Sequence, residues 1–245
     1  MTFGSLFSGI GGIDLGLERA GMECLWQVEI DPFCQRVLAK HWPDVPKHGD
    51  IKKLTGEELG HVDLIAGGFP CQPVSLAGKR LAQDDPRWLW PDFARILRVV
   101  RPRYALLENV PGLLSRGMGD VLGDLAALGY DAEWQIISAA AAGAPQIRER
   151  VWIVSYAPSE HGEAWSGVAS RTQRQPPFKP GGFPGSPMAD GRQLTDTWSA
   201  CESGLDRMAN GVPSRVDRLR ALGNAVVPQV VEWIGQQILE ADGRL

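Results

Sequence analysis

Short apolar runs recur along the first two thirds of the chain, each followed by a polar or glycine-rich turn and a stretch with apolar residues three and four apart. The runs TFGSLF (2–7), ECLWQVEI (23–30), VDLIAGG (62–68), RYALLEN (103–109), AEWQIIS (132–138) and RVWIVSYA (150–157) read as strands. Several are apolar on both faces, as strands covered on each side must be. Between them GIDLGLERAG (12–21), DPFCQRVLAKHW (31–42), PDFARILRVVR (91–101) and GDVLGDLAALG (119–129) carry amphipathic helical spacing. Gly21 and Gly129 stand where helix-ending glycines belong, and Pro43 and Pro102 bar continuation. This alternation predicts an α/β fold with a doubly wound, mostly parallel sheet.

The alternation stops near Pro158. Residues 158–200 contain six prolines and six glycines, which predicts irregular chain. Periodicity returns over 214–240, and the stretch after Pro228 predicts an amphipathic terminal helix. The chain is therefore expected to leave its main domain, make a small excursion, and come back.

Composition narrows the function. The 245 residues, 44% hydrophobic, suffice for one main domain with a substantial core. No apolar run approaches the roughly 20 residues of a membrane span. The N-terminus lacks the charged and apolar regions of a signal peptide, so a cytoplasmic protein without membrane association is expected. Four cysteines without a C-x-x-C pair and four scattered histidines give no metal framework. A net charge of −4 argues against a protein that coats nucleic acid indiscriminately, yet the sign changes along the chain. Residues 1–63 hold 6 Lys+Arg against 10 Asp+Glu, whereas residues 79–116 hold 8 against 4 and residues 171–220 hold 8 against 5. Such a division fits a cofactor end and a polyanion end, or ordinary surface charge.

The first strand-to-helix turn, LFSGIGGIDLGLERAG (6–21), lets backbone approach a ligand closely and aims helix N–H groups at it. From Gly9, the third glycine of a G-x-G-x-x-G fingerprint is replaced by Asp14, which points to a nucleoside without a diphosphate. Glu29 ends the second strand, where an acid holds ribose hydroxyls, and Asp50 follows a weak third strand, where it suits an adenine amine. The alternative for each acid is a solvated helix cap, and Asp31 before Pro32 reads as one.

Cys71 follows the strand VDLIAGG within GGFPCQPVSLAGKR (67–80), so it belongs to the same carboxyl edge. Pro70 and Pro73 stiffen its turn, and Lys79 and Arg80 favour a thiolate. A cysteine taken alone is more often a small buried hydrophobe. Glu108 ends the apolar run YALL, where desolvation raises a carboxyl's pKa. Arg148 and Arg150, two apart at a strand's start, are expected to point the same way, which suits an anionic or carbonyl-rich ligand, although this motif standing alone reads rather as paired surface arginines.

The ordered set FSGIGG, VEID, GDI, GGFPCQPVS, ENVPG, QIRERVWIV and GNAVVPQV resembles that of the DNA (cytosine-5)-methyltransferases, over residues 3 to about 157 and again from about 215 to 240. The resemblance implies a seven-stranded, Rossmann-like methyltransferase sheet with a small irregular target-recognition domain. The divisions expected are 1–157 and 215–245 for the catalytic domain and 158–214 for the smaller one. It implies S-adenosylmethionine as cofactor, held by Phe7, Gly9, Ile10, Gly12, Glu29, Ile30, Asp50, Gly68, Pro70, Leu89 and Asn224. Cys71 would add to C6 of a flipped cytosine, Glu108 would protonate N3, Arg150 would contact O2, and Asn109 and Arg148 would support that geometry. The loop 74–90 would close as a lid, with Ser75, Lys79, Arg80 and Arg87 on the DNA backbone. Arg171, Arg174 and Lys179 would read DNA, although the aromatics among them suit a minicore equally well. RVDRLRALGNAV (215–226) reads as a reduced form of the family's last motifs. Duplex DNA is the implied partner, with a cognate restriction endonuclease admitted and a monomer expected. The alternatives are a transfer-RNA cytosine-5 methyltransferase, whose Cys-Phe-Thr tripeptide is absent, and a catalytically idle DNA-binding regulator.

Overall fold

The computed structural model of the chain describes residues 1–70, 88–144, 147–157 and 215–243. In it β1 (Thr2–Leu6), β2 (Glu23–Val28), β3 (Lys47–His48), β4 (Leu64–Gly68), β5 (Tyr104–Asn109), β6 (Asp131–Ser138) and β7 (Glu149–Tyr156) form one seven-stranded sheet. Its order is β3-β2-β1-β4-β5-β7-β6. The pairs among β1 to β5 are all parallel, whereas β7 runs antiparallel to both β5 and β6. The expected Rossmann-like methyltransferase sheet is thus present, with its one reversed strand inserted second from the edge.

Helices cover both faces because each carries one apolar stripe. On one side α1 (Gly12–Arg19) and the C-terminal helix α7 (Pro228–Ala241) pack Ile13, Leu17, Val231, Ile234 and Ile238 against Phe3, Leu64 and Leu106. On the other side α3 (Trp90–Val100) and α5 (Met118–Ala127) pack Phe93, Ile96, Leu97, Val121 and Leu125 against Leu6, Ile65, Leu107 and Ile153. Fully burying each such side chain is worth about 1.5–3 kcal/mol, so these two layers dominate the fold's stability. A buried Trp90 locks α3 to α5 by donating from Nε1 to Asp124 at 2.8 Å. The helix expected over 119–129 is preceded by a separate turn, α4 (Leu113–Arg116), and Gly129 takes a left-handed φ of 82° just past α5. No helix among the described residues is long and apolar enough to cross a membrane.

The α1–α7 contact depends on Gly16. A Cβ there would stand 2.5 Å from Val231 Cβ and 2.6 Å from the Pro228 carbonyl oxygen, so only glycine lets the two helices approach. That contact carries the chain's return, including α6 (Arg215–Asn224), back onto the main sheet.

Sheet register prepares the site. Leu6 stands beside both Val28 and Gly67, and Gly68 beside Glu108, so the carboxyl ends of β1, β2, β4 and β5 lie level. Strand order reverses between β1 and β4, and the crevice outside such a reversal is where open α/β sheets bind ligands.

Candidate active site

A cavity of about 680 Å³ opens along this carboxyl edge. Every one of the eleven residues expected to hold the cofactor lines it: Phe7, Gly9, Ile10, Gly12, Glu29, Ile30, Asp50, Gly68, Pro70, Leu89 and Asn224. Glu108, Asn109 and Arg150 line the same cavity, so the cofactor residues and the polar cluster at the end of β5 share one space.

The glycine turn shapes the first wall. Gly9 and Gly11 take left-handed φ values of 56° and 85°, and Phe7 adopts φ 55°, an uncommon conformation for a residue with a side chain. Ser8 N–H donates to the Val28 carbonyl at 3.1 Å, which ties the turn to β2. Glu29 then anchors it: Gly9 N–H donates to Oε2 and Asp31 N–H to Oε1, each at 2.7 Å. A carboxylate has about four lone-pair sites, so each oxygen retains capacity for a hydroxyl donor from the cavity. Ile30 beside it is 65% exposed, an apolar face available to a flat base. Asp31 accepts from Phe33 and Cys34 N–H through Oδ1, which makes it the N-cap of α2 (Pro32–His41). Asp50 accepts from Lys52 N–H through Oδ1 at 3.0 Å.

Asp14, which displaces the third fingerprint glycine, is fully buried away from this cavity. It accepts from Gln27 Nε2 at 2.8 Å and Ser5 Oγ at 3.1 Å, and burial pushes its pKa up to about 6. Glu29, Asp31, Asp50, Glu108 and Asp217 against Arg150 and Arg220 give the cavity an acidic excess, which fits a nucleoside bearing positive charge. S-adenosylmethionine, with its sulfonium, meets that description.

Glu108 stands at the floor. Arg150 Nε pairs with its Oε1 at 2.8 Å, and both side chains are largely buried, at 12% and 20% exposure. Burial raises the Glu108 pKa, and that outweighs the lowering by the Arg150 and Arg148 guanidiniums. Gly68 faces this carboxylate so closely that a Cβ would stand 2.5 Å from Oε2. Asn109 is buried and works along the backbone: Nδ2 donates to the Phe69 carbonyl at 3.0 Å, and Oδ1 accepts from Val110 N–H at 2.8 Å. It thereby fixes Phe69, just past β4, to the end of β5.

The two arginines diverge. Arg150 enters the cavity within β7, while Arg148 precedes that strand, does not line the cavity, and donates from Nη2 to the Gly223 carbonyl at 2.7 Å. The sequence pattern placed them on one edge; the structure turns one to the acid and the other to the end of α6.

Cys71, Ser75, Lys79, Arg80, Arg87, Arg171, Arg174 and Lys179 lie outside the described residues, as does the whole of 158–214. Pro70, immediately before Cys71, lines the cavity.

Sequence reasoning missed several parts of the wall. Phe69 gathers Trp88, Trp90 and Phe93 at centroid distances of 5.5, 5.4 and 6.3 Å, an aromatic cluster just past the end of β4. On α6 the residues Asp217, Arg220 and Ala221, none of them expected, line the cavity together with the expected Asn224. Their i, i+3, i+4, i+7 spacing was visible, but with no apolar residue larger than alanine it does not register as a buried helix face.

The fold and this site define a Rossmann-like methyltransferase. The C-5 cytosine-specific DNA methylase family model matches residues 1–180, and the chain belongs to that family. It is 37% identical over 171 residues to the Type II methyltransferase M.NgoBV of Neisseria gonorrhoeae, covering 62% of this chain and 40% of that protein. It is likewise 37% identical over 172 residues to the Type II methyltransferase M.AquIA of Picosynechococcus sp., covering 61% of this chain and 69% of that protein. Against the first of these the chain spans 40% of the relative's length. The crystal structure of the S. pombe Dnmt2 methyltransferase superposes with a TM-score of 0.66 over 98% of both chains at 19% identity, a likeness of fold.

Proposed function

We propose that the protein transfers a methyl group from S-adenosylmethionine to C5 of a cytosine in duplex DNA. The observation that carries this reading is the Glu108–Arg150 pair, 2.8 Å apart, on the floor of the acid-lined cavity whose wall includes Pro70, next to Cys71.

Cytosine C5 is a poor nucleophile. Addition of the Cys71 thiolate to C6 makes the ring an enamine and moves charge to N3. A carboxyl with a raised pKa is suited to deliver a proton there, and Glu108 is such a group. Arg150 holds Glu108 in place and offers its guanidinium N–H groups to the base O2. Asn109 keeps the turn before Cys71 in register with Glu108. When bound, S-adenosylmethionine supplies an electrophilic methyl. Loss of the C5 proton then expels Cys71 and restores the ring. Attack on C6 needs the face of an unstacked base, so the target must leave the duplex at a cost of roughly a few kcal/mol. Residues 158–214, which include Arg171, Arg174 and Lys179, are the part assigned to choosing that base.

Two measurements test the reading. Purified protein is expected to move labelled methyl groups to duplex DNA, and Cys71→Ser is expected to abolish transfer. Duplex substrate with 5-fluorocytosine, whose fluorine blocks the final elimination, is expected to trap a cofactor-dependent protein–DNA adduct. Wild-type activity in the serine variant would overturn the covalent route. Transfer to transfer RNA but not to duplex DNA would overturn the substrate.

A further inference from the structure

The helix α6 forms one wall of the cavity through Asp217, Arg220, Ala221 and Asn224. Its C-terminal end is fastened twice. Arg148 donates to the Gly223 carbonyl at 2.7 Å, and Val226 just beyond packs so tightly on Gly12 that a Cβ there would meet Val226 Cγ2 and O at 3.1 Å. Ahead of that end, α6 has one polar fastening to the rest of the protein among the described residues: Arg220 Nη2 donates to Asp31 Oδ2 at 2.7 Å. Asp217, one turn earlier on α6, accepts from the same Nη2 at 3.3 Å and orients the guanidinium.

Asp31 is the point in the cavity wall where this matters. Its Oδ1 caps α2, and its N–H holds Glu29 Oε1. One side chain therefore joins α6 to the turn that positions Glu29. We propose that Arg220 is a positioning residue for the cofactor, a clasp whose ion pair with Asp31 holds α6 against the β2–α2 turn and so sets how tightly and how long the nucleoside is retained. The proposal rests on reading the cavity as the S-adenosylmethionine site.

The size of the effect follows from exposure. Arg220 is 59% exposed and Asp31 26%, so the pair is solvent-screened and its removal is expected to weaken binding by about two- to five-fold rather than abolish it. Added salt should shrink the difference, since exposed pairs lose strength as the screening length shortens.

The test uses the full chain in Arg220→Ala, Arg220→Lys and Asp31→Asn forms, the double variant Arg220→Ala/Asp31→Asn, and Arg218→Ala as control. Asparagine is as good an N-cap as aspartate, so Asp31→Asn spares α2 while discharging the pair. Arg218 is exposed on the same helix and does not line the cavity. Hydrogen exchange over 215–224 in ligand-free protein is expected to rise in Arg220→Ala and not in Arg218→Ala. The dissociation constant for S-adenosylhomocysteine, read by calorimetry, should rise about two- to five-fold in each single variant. The double variant should be no worse than the weaker single, and Arg220→Lys should recover part of the loss. Unchanged exchange and unchanged binding in Arg220→Ala, or fully additive losses in the double variant, would overturn the clasp. A wild-type protein that does not bind S-adenosylhomocysteine would instead overturn the cofactor reading beneath it.

Discussion

At the scale of single residues, Glu108 carries the most specific expectation. Its carboxyl is desolvated at the end of β5, so it stays protonated to a higher pH than an ordinary glutamate despite the guanidinium at 2.8 Å. A proton donor works in its protonated form, so kcat should decline as pH rises through that raised pKa. Glu108→Gln should lower kcat by about a hundred- to ten-thousand-fold and leave S-adenosylhomocysteine binding intact, as single-turnover kinetics and calorimetry would show. Gly68→Ala should do similar harm by another route. The added methyl would strike Glu108 Oε2 at 2.5 Å, the free end of a side chain that can swing away. The fold should therefore survive, with an unchanged far-UV circular dichroism spectrum, while methyl transfer falls at least about ten-fold for want of a placed acid. The position of Glu108 was legible as the polar end of an apolar run. Its partner was not, because only the antiparallel β5–β7 pairing brings Arg150 to it.

Among elements, the join between α1 and α7 decides whether the end of the chain can help build the cavity. At Gly16 the obstructing atoms are Pro228 O, Val231 Cβ and Val231 Cγ1, backbone and a branch point rather than a flexible tip. Gly16→Ala should therefore force the helices apart and destabilise the protein by about 1–3 kcal/mol in a urea titration. Cofactor binding should weaken with it, since α6 follows α7's placement. Strands and long helices were legible to within a residue or two: α3 occupies Trp90–Val100 where apolar spacing indicated 91–101. The different fates of Arg148 and Arg150 were not legible, because the strand-like alternation of side chains begins only at Glu149.

For the molecule as a whole, Asp14 links the core to pH. Its folded pKa of about 6 lies above an aspartate's ordinary 3.8, so the native state holds a proton that the unfolded chain gives up earlier. Stability from this group is full below about pH 4 and is lost as pH rises through 6, by about 3 kcal/mol at 1.36 kcal/mol per pKa unit. Asp14→Asn keeps an acceptor for Gln27 and a donor for Ser5, so the difference in unfolding free energy between wild type and variant should slope between pH 4 and 6 and be flat above.

The order of strands and helices, the glycine turn, the acids at strand ends and the family motifs are properties of the sequence itself. Each depends on periodicity or on local chain chemistry, and neither needs the rest of the molecule. Tertiary structure alone decided that Asp14 turns into the core, that Arg150 meets Glu108 while Arg148 binds Gly223, and that α6 closes the cavity through Arg220 and Asp31. Those outcomes depend on which strand reverses and on how closely two glycine-bearing helices pack. The helix packing joins residues as distant in the chain as Gly16 and Val231, and the reversal joins Tyr104 to Tyr156 and Asn109 to Val151; no local pattern encodes either.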